Sequence, residues 1–60
     1  MQILRINQVI EKTGLARSTI YKMIDANSFP KPIPLMKRAV GWLDSEIEEW
    51  IAERIAARDQ

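Results

Sequence analysis

The stretch TGLARSTIYKMI, residues 13–24, decides how the rest of the sequence is interpreted. Its glycine, Gly14, ends one helical pattern, because glycine readily takes the left-handed conformation at a helix end. A second helical pattern then runs over residues 16–26, and Asn27 and Pro30 end it. The inner side of this second pattern is apolar and consists of Leu15, Ile20, Met23 and Ile24. The outer side is polar and consists of Arg17, Ser18, Tyr21, Lys22 and Asp25.

A shorter helical pattern precedes Gly14. Ile6, Val9 and Ile10 recur at the spacing of one helix face. Asn7 is a suitable N-cap for this helix, because its side-chain oxygen can accept a hydrogen bond from a first-turn amide. Two short helices joined through one glycine-containing turn predict a helix-turn-helix.

The segment after the second helix predicts a β-hairpin. The prolines at 30, 32 and 34 exclude a helix over residues 30–36, because each removes a backbone donor and fixes φ. Apolar residues alternate with other residues in Ile33–Leu35 and again in Val40–Leu43, on either side of a polar Lys37–Arg38 tip. A two-stranded hairpin is not stable alone, so we expect it to pack on the helices.

The last segment predicts a third helix that is capped by Asp44 or Ser45. Ser45 and Glu48 match a capping box, whereas Asp44 would complement the helix dipole, and both interpretations stay open. The helix carries one apolar stripe, which consists of Ile47, Trp50, Ile51 and Ile55. The order is helix, helix, hairpin, helix. We therefore expect a mainly α fold with a small β-hairpin, a winged helix-turn-helix that occupies residues 1–60 as a single domain.

Composition excludes several classes of function. The 60 residues contain no Cys and no His, so disulfides, zinc sites with thiolate or imidazole ligands and catalytic sets with His or Cys are impossible. We interpret the carboxylates of the last helix as a solvated face, because carboxylates that act as acids or bases need a shaped pocket. We therefore expect neither an enzyme nor a cofactor or metal site. No apolar run approaches the roughly 20 residues of a membrane span, and no signal-peptide pattern is present, so we expect a cytoplasmic protein.

The charge is unevenly distributed along the chain, although the net charge is only +1. Residues 1–40 hold seven basic and two acidic side chains, whereas residues 41–60 hold two basic and six acidic ones. The first part could therefore lie along a polyanion while the acidic part faces water or another protein.

The second helix carries the side chains best suited to DNA. Its N-terminal half presents residues that can contact bases and phosphates from the major groove, namely Arg17, Ser18, Thr19, Tyr21 and Lys22. At the hairpin tip, Lys37 and Arg38 can lie along a phosphate backbone or reach a minor groove, and we favour Arg38. Arg5 and Lys31 are weaker candidates for phosphate contacts. The aromatic residues Phe29, Trp42 and Trp50 fit the core better than a base-stacking platform, because they share faces with aliphatic residues.

The run from Leu4 to Trp50 resembles the AlpA family of small phage-encoded regulators, relatives of excisionases and of the MerR-like DNA-binding domain. The matching segments are TGLARSTIYKMI at 13–24, FPKPIPL at 29–35 and RAVGWLDSEIEEWI at 38–51. The resemblance implies a winged helix-turn-helix whose second helix enters the major groove, in a bacterial protein that acts on the nucleoid in prophage or genomic-island control. The resemblance assigns Arg38 to the family's wing. It assigns to the family's recognition helix the five second-helix residues Arg17, Ser18, Thr19, Tyr21 and Lys22. Ala16 stands where the family usually has Ser, and Asn27 and Met36 each replace a usual Gly.

These observations predict a sequence-specific protein that binds double-stranded DNA and regulates transcription. Several copies on repeated sites would add specificity, because one such module makes a limited interface. RNA polymerase or an integrase are possible further partners. One alternative is an excisionase, a recombination directionality factor that bends DNA at an attachment site. A second alternative, from another class, is a protein-interaction adaptor that docks a partner on the acidic last helix.

Overall fold

The computed structural model describes residues 2–58 and contains three helices and three short strands. The elements in chain order are β1 (Ile3–Leu4), α1 (Ile6–Thr13), α2 (Arg17–Asp25), β2 (Ile33–Met36), β3 (Ala39–Leu43) and α3 (Asp44–Arg58). Helices α1 and α2 form the helix-turn-helix, and β2 and β3 form the wing. The expected winged helix-turn-helix is therefore confirmed. None of the helices within residues 2–58 is both long and apolar enough to cross a membrane.

The sheet has one strand more than the sequence predicted. The short strand β1 pairs antiparallel with β3, so the strand order is β1-β3-β2 and the proline-containing β2 lies at an edge. This pairing also explains Gly41 in β3. A Cβ at Gly41 would lie 2.5 Å from Cγ2 of Ile3 and 3.1 Å from the carbonyl oxygen of Leu4, so β1 can approach only a glycine.

The core lies between the three helices and one face of the sheet. Its buried members come from every part of the chain and are Leu4, Val9, Ile20, Phe29, Trp42 and Ile47. The expected core positions of Phe29 and Trp42 are thus confirmed, and Trp50 packs against the same cluster while half-buried. Ile55, at the end of the predicted stripe, is 47% exposed because α3 continues beyond the body of the domain.

Two predicted helix starts differ from the structure. Asn7 was expected as the N-cap of α1, but the N-cap is Arg5, and Asn7 lies inside the first turn. This cap lies two residues earlier than expected and directly follows β1, which pairs with β3. There the Arg5 amide donates a hydrogen bond of 2.8 Å to Oε1 of Gln8. Helix α3 begins at Asp44 directly after β3, so Asp44 and Ser45 both lie in its first turn, where the Asp44 carboxylate complements the helix dipole.

Candidate nucleic-acid interface

One face of α2 carries most of the side chains that the sequence singled out. An α-helix turns by about 100° per residue, so positions 17, 18, 21 and 22 fall within an arc of about 140°. The four side chains at these positions are exposed, and they are Arg17, Ser18, Tyr21 and Lys22. The opposite face holds Ile20, which is fully buried. Burial of the apolar face therefore fixes which face α2 turns outward.

Two other residues of α2 stand apart from this basic face. Thr19 lies roughly 100° beyond Ser18, on the flank toward the core, and its side chain is half-buried. Asp25 lies on the same face as the basic residues but at the C-terminal end of the helix, and it is exposed. A carboxylate repels phosphate, so the N-terminal half of the face is the part suited to a polyanion.

Local sequence explains where α2 begins and ends. Its N-cap is Ala16, which has no side-chain capping group. After Asp25, Asn27 takes the left-handed conformation with φ of 60°. The amides of Asn27 and Ser28 donate to the carbonyls of Ile24 (3.0 Å) and Met23 (2.8 Å), which is the Schellman pattern. Asn27 thus ends the helix as the sequence predicted.

The wing ends in the expected basic tip. Lys37 and Arg38 form its turn, and both side chains are exposed. The pairing of Met36 with Ala39 places these two residues alone in the loop, and a register shift between Pro34 and Met36 leaves Leu35 as an extra residue in β2. Neither loop residue has a positive φ, so the turn needs no glycine.

Two tryptophans hold the segment that connects α2 to the wing. Nε1 of Trp42 donates to the carbonyl oxygen of Pro30 at 2.9 Å, and Nε1 of Trp50 donates to that of Ser28 at 2.8 Å. Between these two carbonyls, Phe29 packs edge-on against Trp50 with ring centroids 4.8 Å apart. The position of the wing relative to α2 is therefore fixed by side chains of β3 and α3. Sequence reasoning placed these aromatic residues in the core but gave no signal for their backbone partners.

Part of the acidic charge of α3 is bound inside the molecule. Nζ of Lys12, at the end of α1, lies 2.5 Å from a carboxylate oxygen of Asp44 and 2.5 Å from one of Glu48. These hydrogen bonds, that from Asp44 first, raise the pKa of the Lys12 ammonium above its ordinary value of 10.5. No local pattern predicts this cluster, because Lys12 is 32 residues from Asp44 and 36 residues from Glu48. Lys12 thus belongs to the scaffold rather than to the basic face.

The other carboxylates of α3 line an open groove beside the Asn27–Pro30 segment. Glu46, Glu49 and Glu53 flank Trp50 in this groove, which has a volume of about 500 Å³. The guanidinium of Arg54 lies 5.0 Å from the centre of the Trp50 ring, at cation–π distance. Within residues 2–58, no group of three or more acidic side chains is arranged to hold a metal ion.

The remaining sequence candidates, Arg5 and Lys31, are both exposed. Arg5 precedes α1, and Lys31 lies in the segment between α2 and the wing. The structure therefore leaves both ammonium and guanidinium groups accessible to solvent, outside the basic face of α2.

Comparison with known proteins gives this architecture a family. Residues 2–55 match the model of the family described as prophage CP4-57 regulatory protein (AlpA). The chain is 43% identical to the DNA-binding transcriptional activator AlpA of Escherichia coli K12, in an alignment that covers 90% of this chain and 86% of that protein. It is also 44% identical to the uncharacterized protein ORF88 of enterobacteria phage P4, over 95% of this chain and 65% of ORF88. The chain therefore belongs to the AlpA family of prophage regulatory proteins.

Proposed function

We propose that this protein is a sequence-specific regulator of transcription that binds double-stranded DNA and serves a prophage or genomic island. The observation that carries the proposal is the exposed face of α2, where Arg17, Ser18, Tyr21 and Lys22 project together from a helix held by a buried apolar face. The AlpA relative from E. coli is named as a DNA-binding transcriptional activator and supports the same role.

Each side chain of this face has a distinct role in the proposal. Arg17, near the start of α2, forms a bidentate contact with a guanine edge in the major groove. Ser18 and Tyr21 donate hydroxyl hydrogen bonds to phosphates, and Lys22 neutralises backbone charge. Thr19 contributes least, because its side chain is half-buried on the flank of the helix.

The wing supplies the second contact. We infer that Arg38 reaches the minor groove and that Lys37 lies along the phosphate backbone. Arg5 and Lys31 add weaker phosphate contacts. Residues 1–60 act as one DNA-binding domain in this proposal, in the bacterial cytoplasm on the nucleoid. Further copies on repeated sites, and RNA polymerase or an integrase bound nearby, are its proposed partners.

The first test is binding to DNA fragments taken from around the protein's own gene, measured by fluorescence anisotropy at two salt concentrations. We expect one fragment to bind more tightly than its scrambled version and binding to weaken steeply with salt. A preferred fragment beside a promoter would support control of transcription, whereas one at an attachment site would support recombination. Equal weak binding to every fragment would contradict the proposal.

Three variants then connect binding to the basic face. Arg17→Ala is expected to weaken binding to the preferred fragment by about 5- to 150-fold, which corresponds to about 1–3 kcal/mol for one base contact, and to reduce discrimination between sequences. Lys22→Ala should weaken binding to all sequences alike and lower the salt slope by about one. Arg54→Ala is the matched control, because it removes the same positive charge from α3, and we expect less than about twofold change. If Arg17→Ala and Arg54→Ala behave alike, the basic face is not the site of contact.

A further inference from the structure

Met36, at the end of β2, is unusually accessible for an apolar residue. Its side chain is 75% exposed, more than any other large apolar side chain within residues 2–58. The next most exposed are Ile55 at 47% and Leu35 at 41%. An exposed methionine of this kind gains nothing from burial in the folded monomer. Its apolar surface is therefore available to a partner.

The irregularity of β2 explains this exposure. Leu35 is the extra residue at the register shift, and its Cδ1 would lie 3.1 Å from a Cβ on Gly41, so Leu35 covers the sheet at that point. Met36 then pairs with Ala39 as the last residue before the tip. The shift thus leaves an apolar side chain next to two exposed cations, Lys37 and Arg38.

We propose that Met36 inserts between two adjacent base pairs from the minor groove and bends the bound DNA. Apolar side chains such as methionine can partly unstack a base step in this way and kink the duplex by about 20–90° toward the major groove. Arg38 then lies in the same minor groove beside the step, and Lys37 neutralises the adjacent phosphate backbone. This inference rests on the proposed function, because it assigns a bending role to the wing of the same DNA-binding protein.

The neighbours of Met36 favour DNA over a protein as the partner. Charged residues are depleted from the cores of protein–protein interfaces, and lysine is depleted there in particular. An apolar contact centred on Met36 would bring Lys37 and Arg38 to such a core, where both charges would lose hydration. The minor groove instead offers stacked bases to the methionine, negative potential to Arg38 and nearby phosphates to Lys37.

The test is a bend measurement on the preferred fragment from the anisotropy experiment, with donor and acceptor dyes at its two ends. A second series carries 2-aminopurine at successive base steps, because its fluorescence rises on unstacking. The variants are Met36→Ala and Met36→Leu, with Ile55→Ala as a control that shortens an exposed apolar side chain on α3. Because Met36 and Ile55 are both exposed, the three variants should melt close to the temperature of the unchanged protein.

We expect the unchanged protein to bend the fragment by tens of degrees, about 20° or more, and to raise the fluorescence at one step. Met36→Ala should lose most of the bend and most of the rise in fluorescence, and it should bind the fragment about 3- to 30-fold more weakly. Met36→Leu and Ile55→Ala should keep the bend, the fluorescence rise and the affinity of the unchanged protein. Straight DNA in a tight complex, or an unaltered bend with Met36→Ala, would overturn this inference and leave the proposed function intact. Absence of preferential DNA binding by the unchanged protein would remove the proposed function and this inference together.

Discussion

The basic face of α2 and the acidic helix α3 use their charges in different ways. Arg17, Lys22, Lys37 and Arg38 make no ion pair with any residue between 2 and 58, and all four are exposed. In α3, by contrast, Asp44 and Glu48 both bind Lys12. Two charges of the acidic helix thus link it to α1, whereas the basic side chains of α2 and the wing are left without an internal ion-pair partner.

This difference separates the residues that build the domain from those available to a ligand. The aromatic residues follow the same division, because Trp42 and Trp50 direct their N–H groups to the segment between α2 and the wing. The acidic half of the chain thereby fixes the relative position of the two basic elements. Mutations in the two regions should therefore have different consequences, on stability in one and on binding in the other.

The largest expected effect comes from breaking the scaffold at Trp42, which is fully buried. Trp42→Ala should destabilise the domain by about 3–5 kcal/mol, enough to unfold much of so small a protein. Thermal unfolding followed by circular dichroism measures this. Trp42→Phe keeps an aromatic ring but deletes the hydrogen-bond donor to the Pro30 carbonyl, so it should lower the free energy of unfolding by less than Trp42→Ala does. Cooperative unfolding of Trp42→Ala at the temperature of the unchanged protein would contradict the division between the regions.

A smaller effect on stability is expected from Lys12→Met, which removes the ion pairs of α1 with α3. The raised pKa of Lys12 means that its contribution to stability is fully present below 10.5 and is lost as the pH rises through the folded-state pKa. The melting temperature of the variant should therefore be lower at neutral pH, and the difference should narrow in alkaline buffer. Lys31→Met, at an exposed position without an ion pair, serves as the control and should show no such difference. If the difference in melting temperature between Lys12→Met and the unchanged protein is the same at neutral and alkaline pH, lost packing and not lost charge is its cause.

The smallest effect is expected from Glu49→Gln combined with Glu53→Gln in the groove beside Trp50. Both carboxylates lie outside the basic face, and solvent and salt screen them, so DNA affinity should change by less than about threefold. Fluorescence anisotropy on the preferred fragment measures it. A drop above about tenfold would place α3 in the DNA interface. If the double variant keeps its DNA affinity but no longer regulates in cells, the result would favour the alternative in which α3 docks a protein partner.

Most of the secondary structure was predictable because local sterics decide it. Gly14 and Asn27 both take the left-handed conformation that their positions implied, and three prolines within residues 30–36 keep that segment out of a helix. The start of α1 was predicted incorrectly, because the two-residue strand β1 is stabilised only by its pairing with β3. A strand that short has no periodicity from which it could be recognised.

The candidate site divides in the same way. Helical spacing alone predicted that Arg17, Ser18, Tyr21 and Lys22 share an outward face, because the neighbouring apolar positions must be buried. The same residue list included Thr19, whose half-buried position depends on how closely α2 packs against the rest of the core. The sequence already predicted that Asp25 lies on the same outer face as the basic residues. Its place at the C-terminal end of that face follows from the bounds of α2 in the structure.

The helix-turn-helix, the hairpin, the segregation of charge and the resemblance to the family could all be recognised from local sequence, since they depend on residues a few positions apart. Three features emerged only from the folded chain: Lys12 binds α3, the two tryptophans hold the segment between α2 and the wing, and Met36 is exposed beside the tip. Each of them depends on segments that meet only when the chain is folded. Their partners are backbone carbonyls and distant carboxylates, which no local pattern specifies.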